Sequence, residues 1–217
     1  MISKPSAAST AGDPGKHGGS RGEPTEPSVP EMIASLDLSA HREGGYFRET
    51  YRADIMVSTA DGSRPASTAI LYLLTKPEPS RFHRLKSDEL WLYHAGALAE
   101  MVLLKPIEQL ARGRSRQNAG PAAPEHQVIG PGSPYGLVPA GWWVAARTIT
   151  GEEADWGSGR APERRWTADR RSSRDYGWTL MSCVATPGFD YADFELADRD
   201  ALLRDYPLAK ELLLVLT

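Results

Sequence analysis

Apolar and polar positions divide the chain into a polar head, a strand-rich middle and an apolar end. Residues 1–30 contain no aromatic side chain and half of them are Pro, Gly or Ser, so they bury too little surface to offset their ordering entropy. They are expected to form a disordered tail. Pro30, followed by Glu31-Met32-Ile33-Ala34-Ser35-Leu36, predicts a short helix that opens the ordered part. Beyond Glu43-Gly44-Gly45 the pattern changes to short runs of aromatic and branched residues at 46–52, 67–74, 89–94, 100–104, 127–129, 142–149 and 178–184. Turn residues separate these runs, which predicts an all-β sandwich or barrel with short terminal helices and not alternating βαβ units. The polar stretches 109–125 and 151–175 are expected to be loops, the second an insertion dense in Arg, Asp and Glu. Residues 198–206 read as a helix. The apolar tail to 217 is expected to pack on the barrel or on a partner subunit, being too short to span a bilayer.

Composition narrows the classes of function. At 217 residues, one domain over about 31–205 is expected, with residues 206–217 as its apolar appendage. A formal charge of -3 gives no electrostatic footprint for nucleic acid. The single Cys183 excludes an internal disulfide and any cysteine-rich metal site, and a cytoplasmic setting is the simplest reading. No apolar stretch has the length of a spanning helix, and no signal-peptide core opens the chain, so no membrane partner is expected.

The densest chemistry lies in residues 81–96, from Arg81-Phe82-His83 to Tyr93-His94-Ala95-Gly96. Strand alternation puts His83 and Leu85 on one face and Glu89, Trp91 and Tyr93 on another. If the two strands pair, an imidazole meets a carboxylate among aromatic rings. A second segment, Val138-Pro139-Ala140-Gly141-Trp142-Trp143-Val144, is a turn feeding a strand that points Trp142 and Val144 to one side. Of Arg48 and Glu49, adjacent on a strand, only one can face inward. An inward Arg48 would suit a ligand carboxylate or phosphate, and an outward one would form a surface ion pair.

These segments resemble the motifs of the cupin superfamily, small β-barrels of jelly-roll type. In the first motif His83, Glu89 and Gly96 match in spacing, while Leu85 stands where a second His belongs and Pro77 where a Gly belongs. In the second, Pro139 and Gly141 match, and Val144 and Thr148 replace a His and an Asn. The chain is more specifically similar to the cupin-5 branch (domain of unknown function 985). It carries that branch's pieces at 41–50, 67–70, 82–91, 138–142 and 186–195 in order, with Arg42 in place of a Pro.

The resemblance implies a double-stranded β-helix, the jelly roll of the epimerase-like cupins, and a pocket inside it. Two of the usual four metal ligands are absent, so no cofactor is expected; a divalent metal, if bound, would rest on His83 and Glu89 alone. The resemblance also implies a metal-independent isomerase or epimerase acting on a sugar-like or other small carbonyl compound. His83 would be its base, Tyr93 or Tyr46 its acid, and Glu89 or Asp88 would orient the imidazole. Tyr46, Arg48, Trp91 and Trp142 are the candidate ligand contacts, although both Trp rings would equally serve as plugs. A non-catalytic small-ligand binding module and a metal-dependent oxygenase are the alternatives. Open sheet edges and the apolar tail together predict a homodimer.

Overall fold

A computed structural model describes residues 27–110, 123–150 and 176–217. The expected tail up to residue 26, most of the 109–125 loop and the 151–175 insertion lie outside the described residues. The chain opens with α1 (Val29–Leu36), where Ser28 and Glu31 exchange hydrogen bonds in a capping box. Thirteen strands follow: β1 (Ser39–Ala40), β2 (Tyr46–Arg52), β3 (Met56–Thr59), β4 (Gly62–Pro65), β5 (Thr68–Thr75), β6 (Ser80–Leu85), β7 (Asp88–Gly96), β8 (Leu98–Leu104), β9 (Glu125–Ile129), β10 (Tyr135–Val138), β11 (Trp143–Ile149), β12 (Trp178–Thr186) and β13 (Phe194–Leu196). A short α2 (Ile107–Leu110) follows β8, and α3 (Arg199–Asp205) and α4 (Lys210–Leu216) close the chain.

Two antiparallel sheets face each other. One has the order β1-β2-β5-β12-β7-β10 and the other β13-β6-β11-β8-β9, with β3 and β4 forming a separate hairpin. Every run expected to be a strand is one. Of the strands outside those runs, β1, β3, β4, β10 and β13 have two to four residues, too few positions to register a period, and β6 is the strand on which His83 and Leu85 alternate.

One expectation about pairing needs correction. Strands β6 and β7 are consecutive but do not form a hairpin: β6 pairs with β11 and β13, whereas β7 pairs with β12 and β10. The turn at Lys86-Ser87 carries the chain from one sheet to the other. His83 and Glu89 therefore face one another across the sandwich.

Alternation along three central strands divides the interior into a dry core and an open end. On β5, Tyr72 and Leu74 enter the core while Thr68 and Ile70 line a cavity. On β12, Met181 enters the core and Ala185 lines the cavity, with Cys183 at the boundary. On β7, Trp91 is buried in the core and Glu89 faces the cavity. Each step of two residues toward the cavity exchanges bulk for polar or smaller side chains.

The C-terminal tail folds as a helix against the barrel. Leu213 and Leu216 of α4 join Leu202, Tyr206 and Ala209 in a cluster with Phe82, Val102, Leu104, Trp143 and Ala145 on the outer face of the five-stranded sheet. The expectation of a homodimer drew on this tail as a covering surface. Its buried side, with Leu213 and Leu216, packs inside the chain, while Leu208, Leu214 and Val215 stay exposed. No helix of the described residues is long and apolar enough to cross a membrane.

Because Leu213 is fully buried and Leu214 is 50% exposed, the two neighbours should respond differently to truncation. Leu213→Ala is expected to destabilise the fold by about 2–5 kcal/mol and Leu214→Ala by less than about 0.5 kcal/mol in denaturant unfolding. Equal losses would contradict the packing of α4.

Candidate functional site

The open end of the sandwich encloses a cavity of about 270 Å³. Its walls come from β2, β5, β6, β7 and β12 and from the segment that follows β12 through Phe189, Asp190, Tyr191 and Phe194. Phe194 stacks on the His83 ring with centroids 5.6 Å apart, and Phe189 and Tyr191 meet edge to face at 4.9 Å. This wall is tied down by Arg64 of the β3–β4 hairpin, whose Nε and Nη2 donate to the two carboxylate oxygens of Asp193 at 2.7 and 3.0 Å.

Glu43 organises the polar side of the cavity. It is 5% exposed, and its Oε2 lies 3.3 Å from both His41 Nδ1 and His83 Nε2. Its Oε1 accepts from the Ser80 hydroxyl at 2.8 Å. Gly44, at φ +116°, makes this placement possible: a Cβ there would collide with the Pro79 carbonyl, so the turn closes onto the start of β6 only with glycine. The Arg81 N–H then donates to the Glu43 carbonyl at 2.8 Å. Burial penalises the Glu43 charge, but His83, then His41, and the Ser80 hydroxyl hold its carboxyl down to about 2.

The two imidazoles are not equivalent. His83 Nδ1 lies 2.9 Å from the Arg81 carbonyl, so both of its nitrogens are engaged. With Nδ1 donating to that carbonyl, the Nε2 contact to Glu43 becomes a hydrogen bond only when a proton is shared along it. His41 presents Nδ1 to Glu43, while its Nε2 makes no hydrogen bond among the described residues. The Glu43 N–H also points at His41 Nδ1, but at 3.5 Å it is the weaker contact.

Glu89 is the second carboxylate of the cavity, 8% exposed. Its Oε2 accepts from Trp91 Nε1 at 2.8 Å. Burial pushes its carboxyl above the usual range and the Glu43 charge adds to the rise, while His83, the Trp91 bond and His41 act against it. Two carboxyl groups in one cavity are thus driven in opposite directions, the arrangement that separates an ionised partner from a group able to carry a proton. Cys183 is pushed well above its ordinary value, first by burial and then by Glu89 and Glu43, which leaves it an inert thiol.

Of the residues singled out from the sequence, His83 and Glu89 line the cavity. The carboxylate that binds His83 is Glu43, however, and not Glu89. Trp91 lies below the cavity, edge to face with Tyr72 at 5.7 Å, in the position of a plug. Trp142 packs against the same core cluster, with Lys105 Nζ 5.8 Å from its ring. Tyr93 donates its hydroxyl to the Gly96 carbonyl at 2.8 Å and does not line the cavity. Tyr46 packs under α1 with Met32 and Trp178 on the outer face of its sheet. Arg48 shares that outward face and is exposed. The inward neighbour is Glu49, and the guanidinium at the cavity belongs to Arg52.

His41, Glu43, Glu49 and Arg52 were given no role by sequence reasoning. For His41 and Glu43 the signal was the His41-Arg42-Glu43-Gly44-Gly45 piece, where two glycines mark a tight approach of backbone, and for Glu49 it was the choice of which of Arg48 and Glu49 faces inward.

A divalent ion does not fit this donor set. Val144, at one lost ligand position, sits in the apolar core, and Leu85 lines the cavity at the other. Nε2 of His83 and Nδ1 of His41 converge on a carboxylate oxygen and not on a common open point. Among the described residues, no group of three or more His, Cys, Asp or Glu is placed to hold an ion.

Two facing antiparallel sheets with an acid-base cavity between them at one end define a jelly-roll pocket protein. The chain belongs to the cupin superfamily: the Cupin_5 family (DUF985) matches residues 30–197. Among solved structures it is similar to a hypothetical protein from Leishmania major at 28% identity and a TM-score of 0.66, over 88% of this chain and 99% of that one. Protein SO0799 from Shewanella oneidensis is similar at 26% identity and a TM-score of 0.65, over 88% and 98%. Oxalate decarboxylase from Bacillus subtilis matches at 13% identity and a TM-score of 0.44, over 84% of this chain and 37% of that one. No curated protein matches.

The opposite shifts of the two carboxyls predict opposite stability effects. Glu43 stabilises the fold above its unfolded value of 4.5, and that contribution is lost as pH falls toward about 2. Glu43→Gln is therefore expected to cost about 3 kcal/mol at neutral pH and to flatten the acid limb of the unfolding profile. Glu89 has a raised value, so its ionisation weakens the fold as pH climbs above 4.5, and Glu89→Gln should raise Tm at neutral pH. Thermal melts between pH 2 and 8 in which Glu43→Gln matches or exceeds wild type would contradict the assignment.

Proposed function

We propose that the cavity performs metal-independent proton transfer at the carbon next to the carbonyl of a small compound, an isomerase or epimerase reaction. His41 and Glu89 are its proton-exchanging groups. The observation that supports this most is the open Nε2 of a His41 whose other nitrogen is held by buried Glu43, in the same cavity as a carboxyl whose proton affinity is raised by burial. His41 takes the α-proton on Nε2, and the C–H electron pair forms an enolate. Glu89, protonated, returns a proton to carbon from its own side, so the reaction needs no oxidant and no cofactor. Glu43 orients His41 and stabilises the imidazolium that forms. His83 is a positioning residue, anchored at both nitrogens and stacked on Phe194.

The assignment of the base moves from His83 to His41, and that of the acid from a tyrosine to Glu89. A purely binding role is supported by the aromatic wall, which would hold a flat ring without chemistry. The convergence of both imidazoles on one carboxylate oxygen argues against the metal-dependent oxygenase.

Proton NMR in D2O with a panel of small α-hydroxy carbonyl compounds, hydroxyacetone and α-hydroxyacetophenone among them, tests the reading. Wild-type protein is expected to exchange the α-proton for deuterium, with the rate unchanged by a chelator. His41→Gln and Glu89→Gln should each slow exchange by about a hundredfold or more. No exchange by wild type, or exchange that survives both substitutions or vanishes with the chelator, would overturn it.

A further inference from the structure

The charges around the cavity restrict what it can hold. Glu43, Glu49, Glu89 and Asp190 line it, against a single guanidinium, Arg52. That guanidinium is already committed: Nε donates to Glu49 Oε1 at 3.0 Å, Nη2 to Glu49 Oε2 at 2.6 Å, and Nη1 to the Phe189 carbonyl at 3.4 Å. Both imidazoles of the cavity are turned to Glu43. Among the described residues, no cationic side chain that lines the cavity lacks an anionic partner. The carboxylates are less evenly matched. Glu89 accepts only the Trp91 N–H, and Asp190 caps the backbone N–H of Ala192 at 2.8 Å, so neither has a basic side chain bonded to it.

An anionic ligand entering this space would be desolvated beside Glu43 and Glu49, and the nearby Arg42 guanidinium lies outside the cavity lining, 4.4 Å over the Tyr191 ring. A neutral or positively charged one would meet acceptors at the polar end and ring faces on the wall formed by Phe189, Tyr191 and Phe194. Volume points the same way. About 270 Å³ is below the range of roughly 300–1,000 Å³ typical of drug-sized ligands, and leaves no room for a nucleotide carrier.

We infer that the ligand is a small flat-ring compound without an anionic group, uncharged or cationic, whose polar end lies at Glu89. Phosphorylated, carboxylated and nucleotide-linked compounds are excluded. This rests on the reading of the cavity as a site for small carbonyl compounds and narrows that class to members without an anionic group. Glu49 acts as the gatekeeper, since it is the group that cancels Arg52.

Three probes with one ring and one carbonyl separate the possibilities: α-hydroxyacetophenone (neutral), α-aminoacetophenone (cationic) and phenylglyoxylate (anionic). Ligand-observed NMR titrations of wild type are expected to show the first two binding at least about tenfold more tightly than the third. Glu49→Gln, a change at a half-exposed ion pair that the fold tolerates, should release Arg52 and tighten phenylglyoxylate by about tenfold while leaving the neutral probe nearly unchanged. Phenylglyoxylate binding wild type as tightly as the neutral probe, an unchanged preference in Glu49→Gln, or no binding by any probe would overturn the inference. The readout is binding, so a neutral probe that binds without exchanging its α-proton defeats the catalytic reading and leaves the ligand class standing.

Discussion

A carboxylate removed from water is the constraint around which the open end of this protein is arranged. Glu43 is nearly inaccessible, and a lone ion in that position would cost several kcal/mol. It is tolerated because two imidazoles and a hydroxyl surround its oxygens. Those partners come from two places in the chain: His41 from the segment before β2, Ser80 and His83 from β6. The ionised acid thus joins the start of the domain to the second sheet. Losing one partner would leave a buried charge unmatched, a larger penalty than the contact itself is worth.

The backbone has been shaped to this requirement. Gly44 and Gly45 both take positive φ, which turns the chain sharply enough to set Glu43 against β6. Tyr72 of β5, in the same sheet as β1 and β2, reinforces the turn by donating its hydroxyl to the Gly44 carbonyl at 2.8 Å. Burial and the Glu43 charge push the Tyr72 phenol well above its ordinary value, so it remains a neutral donor. On the far side, Trp91 spends its N–H on Glu89 and closes the cavity toward the dry core. Trp91, a candidate ligand platform or plug in the sequence, is therefore a structural support of Glu89.

Strand periodicity made most of the sandwich legible, because runs such as 68–75 and 178–186 are long enough to alternate several times. It also identified His83 and Glu89, which lie on such runs. What it could not convey was which strands share a sheet. Treating β6 and β7 as a hairpin assigned Glu89 to His83, whereas the change of sheet at Lys86-Ser87 brings in Glu43 from about forty residues upstream. His41 and Glu43 sit in a turn, where no period marks an inward side chain. Arg52 and Arg48 lie on one strand, and a register shift between Glu49 and Tyr51 alters the pairing there, which simple alternation does not anticipate.

The acid-base reading and the fit of the ligand both depend on Glu43 remaining ionised between the two imidazoles. Carboxyl carbon-13 NMR of the protein labelled in glutamate side chains, titrated from pH 7 downward and assigned with Glu43→Gln, measures this directly. The Glu43 resonance is expected to keep its carboxylate position well below pH 4.5, moving only as the pH approaches about 2 or the fold is lost. A Glu43 carboxyl that titrates at or above pH 4.5 in the folded protein would contradict the account.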